Sequence, residues 1–311
     1  MADSSSAPAA APPQTGDTLR GFLFALAAYL LWGALPLYMK ALAHVPPAEV
    51  VAHRILWSVP VALMILAAIG RTADLRAAIG NPRMLGMAAV TAALIAVNWG
   101  IYVHAIGSGQ ALEAALGYYI NPLFSVMLGV FLLGERLRPL QVAAVALAAL
   151  AVAVLTWEAG RLPLLALGLT VTWGFYAYFK RRLPIGPNQG FTLEVLILLP
   201  PAAGYLVWLW AEGRGHFAAS GADMALLAGT GLVTAIPLMV YANGAKGLRL
   251  STIGIMQYIA PTLILLSAVF LFGEPFGRAR AIAFPMIWAA LALYAVSLFG
   301  GARAAAQAPG S

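Results

Sequence analysis

Two adjacent residues, His53 and Arg54, sit about one turn beyond Glu49 inside the otherwise apolar stretch AEVVAHRILWSVPVALMILAA. A guanidinium near the middle of a bilayer costs roughly 2.5–3.5 kcal/mol on insertion scales, so such a residue faces a polar cavity or partner unless it snorkels to the interface. Glu49 and Glu113 are the candidate partners for Arg54. A second group of hydrogen-bonding side chains lies deep in apolar runs: Asn98, Trp99 and Tyr102, then Tyr118, Tyr119 and Asn121, then Tyr241, Gln257 and Tyr258. Polar side chains in lipid must pair with one another or line a cavity. Aromatic walls with a few amides suit a small organic solute better than a bare ion. The competing reading makes the rings belt residues and the amides glue between helices. Neutral and cationic cargoes are both compatible with this set.

Glu113 and Glu194 are candidates for proton coupling or gating, and Glu194 reads equally well as an interfacial carboxylate. Catalysis of the usual kinds finds no support. There is no cysteine, which excludes disulfides, thiolate metal sites and cysteine nucleophiles. The four histidines, at 44, 53, 104 and 216, lack metal-ligand spacing, and no G-x-x-x-x-G-K-[ST] loop is present. No cofactor or metal is expected. The net charge of +7 is spread singly or in short runs between apolar segments, which fits orientation signals rather than a nucleic-acid-binding face.

The elements that must position these residues follow from composition. Of 311 residues, 62% are apolar and only 9% charged, against roughly 25% charged in soluble domains. Such a chain cannot clothe itself for water, so lipid is its solvent. Residues 1–18 form a polar tail, rich in Ala, Pro and Ser, without the basic region of a cleavable signal peptide. Ten apolar segments follow, near 19–42, 49–69, 83–106, 112–133, 139–156, 162–180, 190–211, 223–245, 252–272 and 279–300. Each has the roughly 18–25 residues a helix needs to span the hydrocarbon, and none shows the ten-residue alternation of barrel strands. The expectation is an all-α membrane protein of ten transmembrane helices. Assigning a cytoplasmic N-terminus leaves twelve Lys and Arg on the inner side and five on the outer, which predicts that both termini are cytoplasmic.

The chain also repeats itself. At a shift of 139, Tyr119 to Glu135 lands on Tyr258 to Glu274 with eight of seventeen identities and no gap. At a shift of 141, Trp32-Gly33 lands on Trp173-Gly174 and Pro60 on Pro201. The halves are therefore 19–156 and 162–300, with a tail at 301–311. Five helices per half would thread the second half upside down, the inverted duplication typical of secondary transporters. Pro122 and Pro261, shared by both copies, would each release a backbone carbonyl one turn earlier and mark a hinge. Gly134-Glu135 and Gly273-Glu274 read as helix ends. There glycine allows a left-handed cap, and the carboxylate secures the turn to the next helix by accepting backbone N–H groups.

AHRILWS (52–58), NWGIYVHAI (98–106), LEAALGYYINPLFSVMLGVFLLGERL (112–137), VTAIPLM (233–239) and STIGIMQYIAPTL (251–263) resemble the RarD branch of the EamA transporters, in the drug/metabolite transporter superfamily. The resemblance runs from about Leu19 to Phe299, and His104 stands where an aromatic residue is expected. It implies a ten-helix inner-membrane carrier of two EamA repeats with a central cavity. RarD proteins are commonly labelled chloramphenicol-sensitivity or permease proteins. The function expected is a permease or exporter moving a small organic metabolite or drug-like solute by alternating access, with a proton as possible coupling ion. A membrane-embedded enzyme acting on a lipid head group, or an assembly scaffold, are the alternatives. The enzyme would need a clustered acid/base or nucleophilic set, which the sequence does not offer; the scaffold would fill its cavity with apolar side chains; the inverted duplication argues against both.

Overall fold

The computed structural model describes residues 18–134, 137–244, 247–248 and 250–307. Among these the regular structure is helical throughout, in antiparallel neighbours joined by short connections. The long helices are α1 (Leu19–Ala41), α2 (Pro47–Ala68), α4 (Pro82–Gly107), α5 (Ala111–Leu133), α6 (Pro139–Ala159), α7 (Leu164–Arg182), α8 (Pro187–Ala211), α9 (Gly221–Gly244) and α12 (Arg278–Gln307). A short helix, α3 (Thr72–Ile79), fills the connection after α2; its eight residues carry Asp74 and Arg76 and gave no apolar signal in the sequence. The segment expected at 252–272 is broken into α10 (Leu250–Met256), α11 (Ile259–Leu266) and a π-turn at Ser267–Leu271.

Local chemistry accounts for these boundaries. Pro47, Pro82, Pro139 and Pro187 open α2, α4, α6 and α8, where a missing N–H costs nothing. The Asn81 side chain accepts from the N–H groups of Arg83 and Met84, both at 3.1 Å. Gly134 and Gly273 end their helices at φ +67°, the left-handed conformation expected at both Gly-Glu pairs. Pro261 stands in the first turn of α11, just past the break between α10 and α11. It can offer no N–H to the carbonyl of Gln257, and its ring crowds that carbonyl. Pro122, its counterpart, lies within the uninterrupted α5.

Eight of the helices are long and apolar enough to cross a membrane. Outside that set fall α7, whose last turn carries Lys180, Arg181 and Arg182, and the broken α10–α11 segment. The exterior is apolar: Trp157 is 92% exposed, and the repeat-equivalent Phe131 and Phe270 are each 76% exposed. Exposed apolar side chains on this scale belong in lipid. The chain is a multi-pass membrane protein.

The core runs between α2, α4, α5, α7, α8 and α9, with α6 against α12 at the periphery. Small residues set the closest approaches. A methyl group at Gly231 of α9 would overlap the Trp57 backbone of α2, and one at Gly117 of α5 would meet the Ala166 carbonyl of α7 at 2.7 Å. These contacts draw α2 onto α9 and α5 onto α7, the helices that carry the polar interior.

Candidate solute-binding site around Arg54

Arg54 is 3% exposed and turned into the bundle, not toward an interface. Its Nε donates to Thr234 Oγ1 of α9 at 3.0 Å, and its guanidinium lies over the Trp99 ring of α4 at 4.6 Å. The phenols of Tyr102 and Tyr118 lie within electrostatic range of it. Among the described residues no carboxylate comes within ion-pair distance. Its Nη1 is buried without a partner, as are Tyr102 OH, His53 Nδ1, Trp57 Nε1 and Ser58 Oγ. Residues 53, 54, 57 and 58 fall on one stripe of α2 at helical spacing.

The expected partners of Arg54 are engaged elsewhere. Glu49 is 1% exposed and accepts from the backbone N–H of His216 at 2.6 Å, while its other oxygen meets His216 Nδ1 at 2.7 Å. His216 belongs to the α8–α9 connection, whose next residue, Phe217, stacks on His53 (centroids 5.0 Å) and on Trp57 (5.9 Å). Glu113, in the first turn of α5, stands 3.9 Å from Arg161. Both assignments are corrected. The α8–α9 connection brings His216 onto both oxygens of Glu49, and Glu113 faces Arg161 of the α6–α7 connection.

The remaining predicted residues divide among three groups. Asn98, Trp99, Tyr102 and Tyr118 join Arg54. Asn98 donates to Thr172 Oγ1 at 2.8 Å and to the Leu169 carbonyl at 3.1 Å, and accepts from Tyr118 OH at 3.4 Å. The Tyr118 ring meets Tyr102 on one side and Trp173 of α7 on the other. Tyr119 and Tyr258 form a second group. Their rings stack at 6.4 Å, Tyr119 OH bonds Thr262 Oγ1 at 2.7 Å, and Phe284 and Trp288 of α12 close around Tyr119. Tyr241 packs in a third, with Tyr29 and Trp32 of α1. Asn121 is buried with an unpartnered Oδ1, and Gln257 is half-buried at the α10–α11 break.

Glu194 is 1% exposed and pairs with Lys180 Nζ at 2.6 Å, with Tyr176 OH at 3.3 Å. Glu274 does accept backbone N–H groups, but those of Ala111 (2.6 Å) and Leu112 (3.0 Å) at the start of α5, not those of its own turn. The donors are those of a distant helix rather than of the adjoining turn, because the four unpaired N–H groups at a helix start draw a carboxylate from wherever it can reach. Glu135 lies outside the described residues. Thr234, Lys180, His216, Phe217 and Trp57 were missed as interior partners. Only Trp57 carried a signal, one turn beyond Arg54 on the same helix.

A small open cleft lies away from Arg54, between the starts of α5 and α12 and the α6–α7 connection, with Glu113, Arg161 and Arg280 among its lining residues. The Arg54 site itself is shut, with its polar atoms withdrawn from solvent.

Residues 19–157 match the model of the EamA-like transporter family. A protein named an uncharacterized transporter in Vibrio cholerae is 40% identical over 95% of this chain and 98% of its own. Protein RarD of Escherichia coli K12 is 39% identical over 89% and 94%, and that of Streptomyces exfoliatus is 41% identical over 88% and 87%. A solved crystal structure 24% identical in sequence superposes with a TM-score of 0.59 over 88% of this chain and 96% of that one, which shows the shared fold. A polar, aromatic interior in a multi-pass helical bundle with these relatives has one family reading: the chain belongs to the EamA-like transporter family, in its RarD branch.

Proposed function

We propose that the protein is a secondary transporter of the inner (plasma) membrane that moves a small organic solute by alternating access. In this reading α7 and the α10–α11 segment also cross the bilayer, giving ten crossings in two inverted halves, 19–156 and 162–300, with both termini cytoplasmic. The observation that carries it is the cluster around Arg54, where several buried polar atoms lack partners at the meeting of helices from both halves. A scaffold would fill such a place with apolar side chains, because unpartnered polar groups in lipid cost several kcal/mol each by rough account. A site loaded by a solute turns that cost into binding.

Two buried carboxylates, each held by a basic side chain, lie toward opposite ends of the bundle. Glu49–His216 sits where α2 begins and Lys180–Glu194 where α7 ends and α8 begins. In the carrier reading they hold the outer and inner routes to the site, and their release is where a proton would couple. The broken helix at Pro261 supplies the hinge.

Flux into proteoliposomes of purified protein tests this reading, over amino acids, amines, nucleosides, organic acids and phenicol-type amphiphiles, with and without a pH gradient. Saturable flux following the gradient is the expected result. Protein-dependent flux absent for all solutes, with folded protein, would remove the carrier assignment. Arg54→Ala is expected to abolish flux while leaving the protein monodisperse on size exclusion; wild-type flux in that variant would take Arg54 out of the site.

A further inference from the structure

The charge and the donor set at Arg54 are lopsided. Arg and Trp side chains only donate, and Ser and Tyr hydroxyls can donate. Thus Arg54 Nη1, Trp57 Nε1, Ser58 Oγ and Tyr102 OH, all buried and unpartnered, can each donate, and His53 Nδ1 is the one unpartnered atom of this stretch of α2 whose role depends on its tautomer. The buried cation has no counter-charge among the described residues, since Glu49 is held by His216 and Glu194 by Lys180. A buried charge left without a partner is strongly unfavourable, so the missing partner is best sought in the cargo.

From this we infer that the Arg54 site binds an organic monocarboxylate with a flat apolar body and no amino group. A single guanidinium balances one negative charge and takes a carboxylate in a planar, charge-assisted fork; a phosphate dianion would leave a charge buried unbalanced. An ammonium group would need a carboxylate, and those near the site are already paired. The position of the body is marked by Phe217. Its ring lies nearly parallel to His53 (16°) and Trp57 (23°), held there from the α8–α9 connection like a resident aromatic guest. In the shut site Phe217 occupies the slot that the ring of a cargo takes when that connection withdraws. The inference deepens the carrier reading and rests on it for access to the site from water.

The test is isothermal titration of the full-length protein in detergent with phenylacetate, phenylacetamide and phenylalanine, followed by counterflow of the same compounds in proteoliposomes. Phenylacetate is expected to bind saturably and at least roughly tenfold more tightly than either the uncharged amide or the zwitterion, the scale of one charge-assisted pair in a dry site. Arg54→Gln is expected to erase that preference and Arg54→Lys to keep part of it. Phe217→Ala is expected to tighten phenylacetate binding by vacating the slot. The wild-type comparison of acid with amide stands even if a variant fails to fold. Equal binding of acid and amide, equal binding of phenylalanine, or no saturable phenylacetate binding to folded protein would overturn the assignment, as would an unchanged preference in Arg54→Gln. Discriminating binding without counterflow of any solute would leave the anion site standing and remove the carrier. Counterflow of other solutes without discriminating binding would do the reverse.

Discussion

Arg54 and Glu194 show how differently two buried charges can be kept. Glu194 has a cation at 2.6 Å and a phenol at 3.3 Å, so its charge is settled inside the protein. Arg54 has an aromatic face and one hydroxyl, which orient the guanidinium without neutralising it. The consequences for substitution are opposite. Glu194→Gln leaves Lys180 buried without a counter-charge and is expected to destabilise the protein by roughly 3 kcal/mol. Adding Lys180→Met should restore much of that loss, because the pair as a unit contributes less than breaking it costs. Thermal unfolding of the single and double variants in detergent measures this; a double variant no more stable than Glu194→Gln alone would refute it. For Arg54 the expectation is lost flux with little lost stability. The sequence marked both residues as candidates, but Lys180 read as an orientation signal at a helix end rather than a partner.

At the scale of elements, the Gly273-Glu274 end of the α10–α11 segment closes onto the start of α5. The carboxylate accepts two of the N–H groups that a helix start leaves open, and the helix dipole favours its charge there. This clamp ties two segments far apart in the chain at the end of the bundle where α5 begins. Glu274→Ala is expected to cost roughly 2–3 kcal/mol, since two buried N–H groups lose a charged acceptor. The observable is a lower midpoint of thermal unfolding with an unchanged oligomeric profile; a midpoint equal to wild type would mean that water replaces the carboxylate. That these positions end helices was legible from glycine chemistry alone. Which helix start receives the carboxylate was not, because an acceptor 163 positions along the chain from its donor leaves no trace in local spacing.

For the whole molecule the open prediction is orientation. The native chain has no cysteine, so single cysteines report without background. With the N-terminus inside, a cysteine in place of Ser108, between α4 and α5, should react with a membrane-impermeant maleimide in intact cells. One in place of Asn81, between α3 and α4, should react only after the cells are opened. The reverse pattern would invert the assignment; labelling of both from outside would break the proposed threading between these two connections.

The sequence by itself determined the solvent, the helical class, most helix boundaries and the family, because these follow from composition, run length and local caps. It also picked out Arg54, Asn98, Trp99, Tyr102 and Tyr118, since polar groups stand out against an apolar ground. Only the tertiary structure decided that these five meet, while Tyr119 and Tyr258 pack apart from them and Tyr241 joins α1. It alone showed that Glu49 serves His216 and that Phe217 reaches in from a loop. The physical reason is that helical periodicity sets which side chains share one face. Which faces meet is set by close approaches such as Gly231 against Trp57, made between residues far apart in the chain.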